Sequence, residues 1–172
     1  MSDGPTVDAA RAGQERQPSD YAGAIYGSLL AASVVAGTGP GKEPPRPGEL
    51  MVLLLATGVV FWLSHVYAHL VGERGTGALL SAREFRAAAK RDWPIVQAAV
   101  PPAAAAGIGA LLGMSDSGAA WLALGVAVGA QLGWALYVAA RADATRHRMV
   151  AVGVVNLVLG LILVALKAAL TH

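Results

Sequence analysis

Two histidines four residues apart, His65 and His69, sit near the end of a long apolar run, Phe61-Trp62-Leu63-Ser64-His65-Val66-Tyr67-Ala68-His69. On a helix that spacing puts both imidazoles on one face, a turn from each other, with Tyr67 on another face. Three chemistries compete for them. They can be structural, with His65 hydrogen-bonded to a neighbouring helix and His69 at headgroup level. They can belong to a proton or ion path, because imidazole titrates near neutral pH and ionisable groups within a membrane often mark such paths. They can also be two ligands of a metal or haem site. H-x-x-x-H supplies only two ligands where zinc takes three or four, and the remaining histidines, His147 and His172, lie elsewhere.

Other polar residues interrupt apolar runs. Gln97, Gln131 and Asn156 each carry an amide that needs hydrogen-bond partners away from lipid. Together with His65 they form the candidate lining of a polar path. Asn156, Gly160, Leu163 and Lys167 fall on one helical stripe, and Lys167 is expected to snorkel outward to the surface.

These residues are carried by five apolar segments, 21–38, 50–72, 94–113, 119–140 and 149–170. At about 1.5 Å per residue, about 20 residues cross a hydrocarbon core of about 30 Å. A hydrophobic fraction of 55% and a mean hydropathy of +0.53 fit that reading. The expected fold is an all-α, polytopic transmembrane helix bundle with five spans. The first span, the shortest and least apolar, is the weakest of them.

Basic residues orient the chain. Arg11, Arg16, Arg74, Arg83, Arg86, Lys90, Arg91, Arg141, Arg146 and Arg148 are ten of the 13 Lys and Arg, and all fall on one side of the five-span layout. By the positive-inside rule that side is cytoplasmic, the N-terminus with it, and His172 is external. Residues 1–20 are polar, carry four aspartates and glutamates, and read as a disordered cytoplasmic tail rather than a signal peptide. The sequence pI of about 9.2 arises in the cytoplasmic loops. It points to anionic lipid headgroups as partner rather than to nucleic acid. The chain has no cysteine, which excludes disulfides and thiolate chemistry.

Between the second and third spans, Ser81 and Glu84 form an S-x-x-E capping box, with Leu80 placed to staple onto Phe85. A short amphipathic helix over 82–92 is expected to lie on the inner leaflet, ending at the interfacial Trp93 and at Pro94. The segment Gly39 to Gly48, with four prolines, is expected to be a stiff non-helical connector. Pro101 and Pro102 predict a kink or break in the third span.

Glycine accounts for 21 residues. Gly23 and Gly27, then Gly125, Gly129 and Gly133, then Gly153 and Gly160, recur at helical spacing and predict smooth packing faces. These faces would serve within the chain or between copies, and a bundle of five helices suggests a homo-oligomer.

The layout over residues 20 to 172 resembles an uncharacterised family of small multi-pass integral membrane proteins of actinobacterial type. The resemblance rests on the Phe61 to His69 run, the Arg83 to Pro94 segment and the ending Leu163-Val164-Ala165-Leu166-Lys167. It implies a location in the inner (plasma) membrane and brings no activity or site residue.

Catalytic templates are missing: there is no G-x-S-x-G elbow, no Walker loop, no H-E-x-x-H, and no acidic residue inside a span. The chain is therefore not expected to be an enzyme, a metal-dependent membrane enzyme being a distant third reading, and no cofactor is expected. The leading expectation is a channel- or transporter-like protein for protons or small cations. Its rival is a non-transporting membrane subunit or scaffold that works through its glycine faces and the inner-surface helix.

Overall fold

The computed structural model describes residues 19–38, 44–74, 81–141 and 145–170. They form six α-helices: α1 (Ser19–Gly37), α2 (Pro47–Arg74), α3 (Ala82–Asp92), α4 (Pro94–Leu111), α5 (Asp116–Arg141) and α6 (Arg146–Leu170). Four of them, α2, α4, α5 and α6, are long and apolar enough to cross a membrane, and α1 contains a shorter apolar stretch, Ala22–Gly37. The all-helical class matches the sequence expectation.

The helix ends follow from local chemistry. α2 starts at Pro47, three residues before the expected Leu50, so the supposed connector is helical in its last two residues. Proline suits the first turn, where its missing N–H has no partner to lose. Glu49 reaches back to accept from the Arg46 N–H at 3.3 Å, and its charge faces the positive end of the helix. The rest of that connector, Gly39 to Glu43, lies outside the described residues.

The capping box at Ser81 forms as read: Ser81 Oγ accepts from the Glu84 N–H, and the Glu84 carboxylate accepts from the Ser81 N–H. Its proposed staple partner Leu80 lies outside the described residues. α4 ends in a Schellman motif on Gly113 (φ 73°), where Met114 N–H donates to Gly109 O and Gly113 N–H to Ala110 O, both at 3.0 Å. Ser115 Oγ then accepts from the Gly118 N–H at 3.1 Å and starts α5.

The third span is not broken at its prolines. α4 runs as one helix through Pro101 and Pro102. Pro102 is buried in the bundle, and helix packing around it holds the backbone where the missing amide cannot.

α1 is the hub. It packs on α2, α3, α4, α5 and α6, with α2 lying chiefly on α4 and α6 chiefly on α5. The core joins Ala31, Ala32 and Val35 of α1 to Leu50, Leu54, Ala103, Ala106, Ala120, Ala123, Leu124 and Ala127. Small side chains dominate, which lets the backbones approach closely. Gly27 shows how closely: a Cβ there would stand 2.8 Å from Ala98 Cβ and 2.8 Å from the Ile95 carbonyl oxygen.

Hydropathy and burial run in opposite directions. The most apolar span window, in α6, has a mean hydropathy of 2.8 and only 6% of it is buried, whereas α4, at 1.4, is 50% buried. Leu111, Val150, Val155, Leu161 and Ile162 all face outward. A soluble protein would put its most apolar helix inside; the reverse arrangement is what a lipid solvent selects.

The glycine faces divide. Gly27, Gly58, Gly109 and Gly160 meet neighbours, Gly160 against Val128 and Gly153 against Leu136. Gly23 stands at ordinary van der Waals distance from Ile95. Gly125, Gly129 and Gly133 are exposed, and a Cβ on any of them would meet nothing within 4 Å. Of the two uses left open for that triplet, packing within the chain is not the one found here: α5 turns its alanines, not these glycines, to the core.

Candidate functional site

At the end of the bundle that carries α3, four helices line a half-open cavity of about 410 Å³. Ala22, Gly23 and Tyr26 line it from α1, His65 and His69 from α2, Arg91 and Asp92 from α3, and Ile95 from α4. α3 is pinned over it by Trp62, whose indole N–H donates to the Ala89 carbonyl at 2.9 Å. Trp62 also stacks edge-on against Trp93, with ring centroids 5.4 Å apart. Trp93 is itself helical and passes α3 directly into α4, so the position of Asp92 is fixed from both sides.

Asp92 is the centre of the site. Its residue is 8% exposed. One carboxylate oxygen lies 2.8 Å from His69 Nδ1 and the other 3.7 Å from Arg91 Nε. A buried carboxylate requires such partners, since its isolated charge would be expensive away from water. His65 completes the wall: its Nδ1 lies 3.0 Å from the Phe61 carbonyl oxygen, and its ring centroid is 5.0 Å from that of Tyr26 and 6.5 Å from that of His69.

The partners fix both tautomers. A carbonyl oxygen and a carboxylate can only accept, so Nδ1 carries the proton on each ring and donates it. In each neutral imidazole the lone pair is then on Nε2. Among the described residues the lining offers no serine, threonine or cysteine that a histidine–aspartate pair could activate as a nucleophile.

Of the polar-path residues read from sequence, the cavity holds His65 alone. Gln97 is exposed on α4. Gln131 and Asn156 meet each other between α5 and α6: Gln131 Nε2 lies 3.3 Å from Asn156 Oδ1 and 3.5 Å from its main-chain oxygen, and Asn156 Nδ2 donates to Val152 O at 3.0 Å. Gln131 is almost fully buried, and its Oε1 has no hydrogen-bond partner among the described residues. His65 and His69 do share one wall. Among the described residues no three His, Asp or Glu side chains gather as a ligand set for a metal ion.

Lys167 is a correction. It is 2% exposed rather than directed to the surface. Its Nζ donates to the Val35 carbonyl at 3.0 Å, in the last turn of α1. α1 has no basic residue of its own there, and a cation at a helix C-terminus meets the negative end of the dipole.

Asp92 and Tyr26 were not singled out by sequence. Asp92 did carry a signal: with Phe85 and Ala88 it falls at i, i+3 and i+7, which places an acid on the apolar face of an amphipathic helix. Tyr26 carried none.

Comparisons with models of protein families, with curated proteins and with solved structures yield no match.

Proposed function

We propose that the chain is a small transporter-like membrane protein for protons or small cations, with the Asp92–His69–His65 cavity as its cation site. The observation that carries this reading is a buried carboxylate, paired with a histidine at 2.8 Å, opening on a cavity at one end of a membrane bundle. Ionisable groups are rarely kept in such a place without a role.

The reading is of a transporter rather than an open channel. Beyond Ile95 the cavity gives way to a void of about 10 Å³ lined by Gly27, Leu30, Ala31, Leu54, Thr57 and Ala99, among others. A space of about 10–15 Å³ holds about one water, not a file of them. Ions reaching the other side would need α1 to part from α2 and α4.

In this reading all five apolar helices span the inner membrane. α1, at 19 residues, covers about 28 Å, and as the hub it has little lipid to face. The N-terminus and α3 are cytoplasmic, so Arg83, Arg86 and Lys90, all exposed, meet anionic headgroups.

The test is flux into proteoliposomes under imposed H⁺, Na⁺ and K⁺ gradients, with wild type beside Asp92→Asn and His69→Gln. Flux in wild type that falls at least about tenfold in both variants is expected. Silence from well-folded wild-type protein under every gradient overturns the reading. A second reading, a scaffold subunit, is favoured by the exposed Gly125, Gly129 and Gly133 face, which leaves a smooth surface for another membrane helix. It gains if flux is absent and Gly129→Leu alters assembly size.

A further inference from the structure

We propose that the cation of this cavity is a borderline divalent transition metal, of the Zn²⁺ and Cu²⁺ class, bound by Nε2 of His65 and Nε2 of His69. The inference deepens the cation-site reading and rests on it for the role of the site, but binding itself is measured without flux.

The argument starts from the two rings. Each has Nδ1 engaged by an oxygen acceptor, the Phe61 carbonyl for His65 and the Asp92 carboxylate for His69. This is the outer shell that metal-binding histidines require: an acceptor on one nitrogen fixes the tautomer, orients the ring and makes the other nitrogen more basic. It is present here twice, on histidines a helical turn apart that line the same cavity. The spacing i, i+4 is the one by which a single helix presents two imidazoles to one ion.

Separation sets what loading must do. A metal–nitrogen bond of about 2.1 Å puts each ring centroid about 3.2 Å from the ion, so two rings at a tetrahedral angle stand about 5.2 Å apart. The observed 6.5 Å is longer than that, so the rings must close by about 1.3 Å on loading, and His69 has room to turn, its side chain being 39% exposed.

Asp92 belongs to the outer shell rather than to the metal. His69 and Arg91 already face its two oxygens. Its negative charge beside Arg91 leaves the cavity wall near neutral, so a divalent ion meets no net repulsion. Two imidazole nitrogens select against Mg²⁺ and Ca²⁺, which take oxygen ligands. The cavity is large enough for the waters that fill the remaining positions. On binding, each Nε2 donates its lone pair to the ion and a coordinated water leaves the ion; no proton or electron is transferred.

The experiment uses the full chain in detergent. Zn²⁺ binding is measured by titration calorimetry, and Cu²⁺ binding by electron paramagnetic resonance, where two nitrogen ligands give a resolved splitting. Wild type is compared with His65→Ala, His69→Ala, Asp92→Asn and, as a control on an exposed histidine, His147→Ala. Saturable Zn²⁺ binding with two-nitrogen Cu²⁺ coordination is expected. Either alanine variant reduces the two-nitrogen splitting to one nitrogen or none, Asp92→Asn weakens Zn²⁺ by about 10–100-fold, and His147→Ala changes nothing. If Asp92→Asn does not fold, Asp92→Glu keeps the carboxylate and is expected to retain more than half of the binding energy.

Zn²⁺ binding as tight in the folded His65→Ala/His69→Ala double variant as in wild type overturns the inference, and so does a wild type that binds neither ion. Proton, sodium or potassium flux without metal binding upholds the transport reading and refutes the metal. Metal binding without any flux, Zn²⁺ gradients included, upholds the metal and refutes transport.

Discussion

Replacing Gly27 by alanine adds one methyl group where α1 and α4 approach backbone to backbone. The new Cβ would lie 2.8 Å from the Ile95 carbonyl oxygen, 3.0 Å from Ile95 Cα and 2.8 Å from Ala98 Cβ. Two of these three atoms are backbone and cannot rotate away, so α1 and α4 must separate. Carbon contacts are most favourable at about 3.5–4.0 Å, and a gap of about 0.5–1 Å forfeits about a quarter to a half of each contact it opens. Overpacking of this kind costs about 1–3 kcal/mol, against up to about 1 kcal/mol returned by the better helix propensity of alanine. The expected net loss is about 1–2 kcal/mol. Gly129→Ala is the control: its Cβ meets nothing within 4 Å, so only the propensity term acts and stability is unchanged or slightly raised. Gly160→Ala falls between them, because its nearest neighbour at 2.5 Å is a side-chain methyl of Val128 rather than backbone. The assay is reversible unfolding in mixed micelles with increasing SDS, read by circular dichroism and tryptophan fluorescence. Equal midpoints for Gly27→Ala and Gly129→Ala, or a Gly27→Ala protein as stable as wild type, would refute the steric argument.

Three further outcomes follow from single contacts. Lys167→Met removes the charged donor to Val35 O and should cost about 1.5–3 kcal/mol, with faster amide exchange confined to the end of α1. Gln131→Leu alone takes the donor from Asn156 Oδ1 and should destabilise, whereas the double variant Gln131→Leu/Asn156→Leu removes an orphaned buried acceptor with its partner and should come within about 1 kcal/mol of wild type; a double variant worse than the sum of the singles would count against this. Trp62→Phe loses the bond to Ala89 O, worth about 1 kcal/mol, and should raise hydrogen exchange in α3 while leaving α5 and α6 unchanged.

How much of this was legible in the sequence depends on the scale of the signal. The helices were, because hydropathy over about 20 residues is a sum that single contacts hardly alter. The S-x-x-E start of α3 was, because a capping box is decided within four residues. The start of α2 was missed because four prolines read as a connector, although Pro47 with Glu49 behind it is also a helix start. Lys167 was misread, and the use of the Gly125, Gly129, Gly133 triplet was left open, for one reason: periodicity tells which residues share a face, not which way the face turns. Half of the site was legible as His65 and His69. The other half, Asp92 and Tyr26, comes from helices distant in sequence, and only their packing brings them to α2.

The arrangement of polar groups argues for what any mechanism must do. Apart from Ser28, whose hydroxyl donates to Ala24 O within α1, the buried polar side chains among the described residues form three separate sets: the Asp92 cavity at one end, the Gln131–Asn156 pair between α5 and α6, and Lys167 on the end of α1. Between the first and the third lies the alanine-rich core, with Leu50, Leu54 and Val35 fully buried in it. Among the described residues no fixed row of polar side chains links them, so under the proposed transport reading a cation beside His69 would advance only when helices move. The hub helix is suited to that. α1 is held by small residues rather than interlocked large ones, and close packing of Gly27 and Ala31 against α4 and α5 gives contacts that are many but shallow. Lys167 tethers one of its ends. The other end carries Gly23 and Tyr26 over the cavity, so a tilt of α1 about its Lys167 end would widen the cavity and the small void beyond Ile95 together. Cross-linking α1 to α4 through cysteines placed at Gly23 and Pro94, where a Cβ on Gly23 would lie 3.7 Å from the Pro94 Cβ, should therefore abolish flux and leave Zn²⁺ binding intact. Flux that survives a complete cross-link would show that α1 is not the moving element.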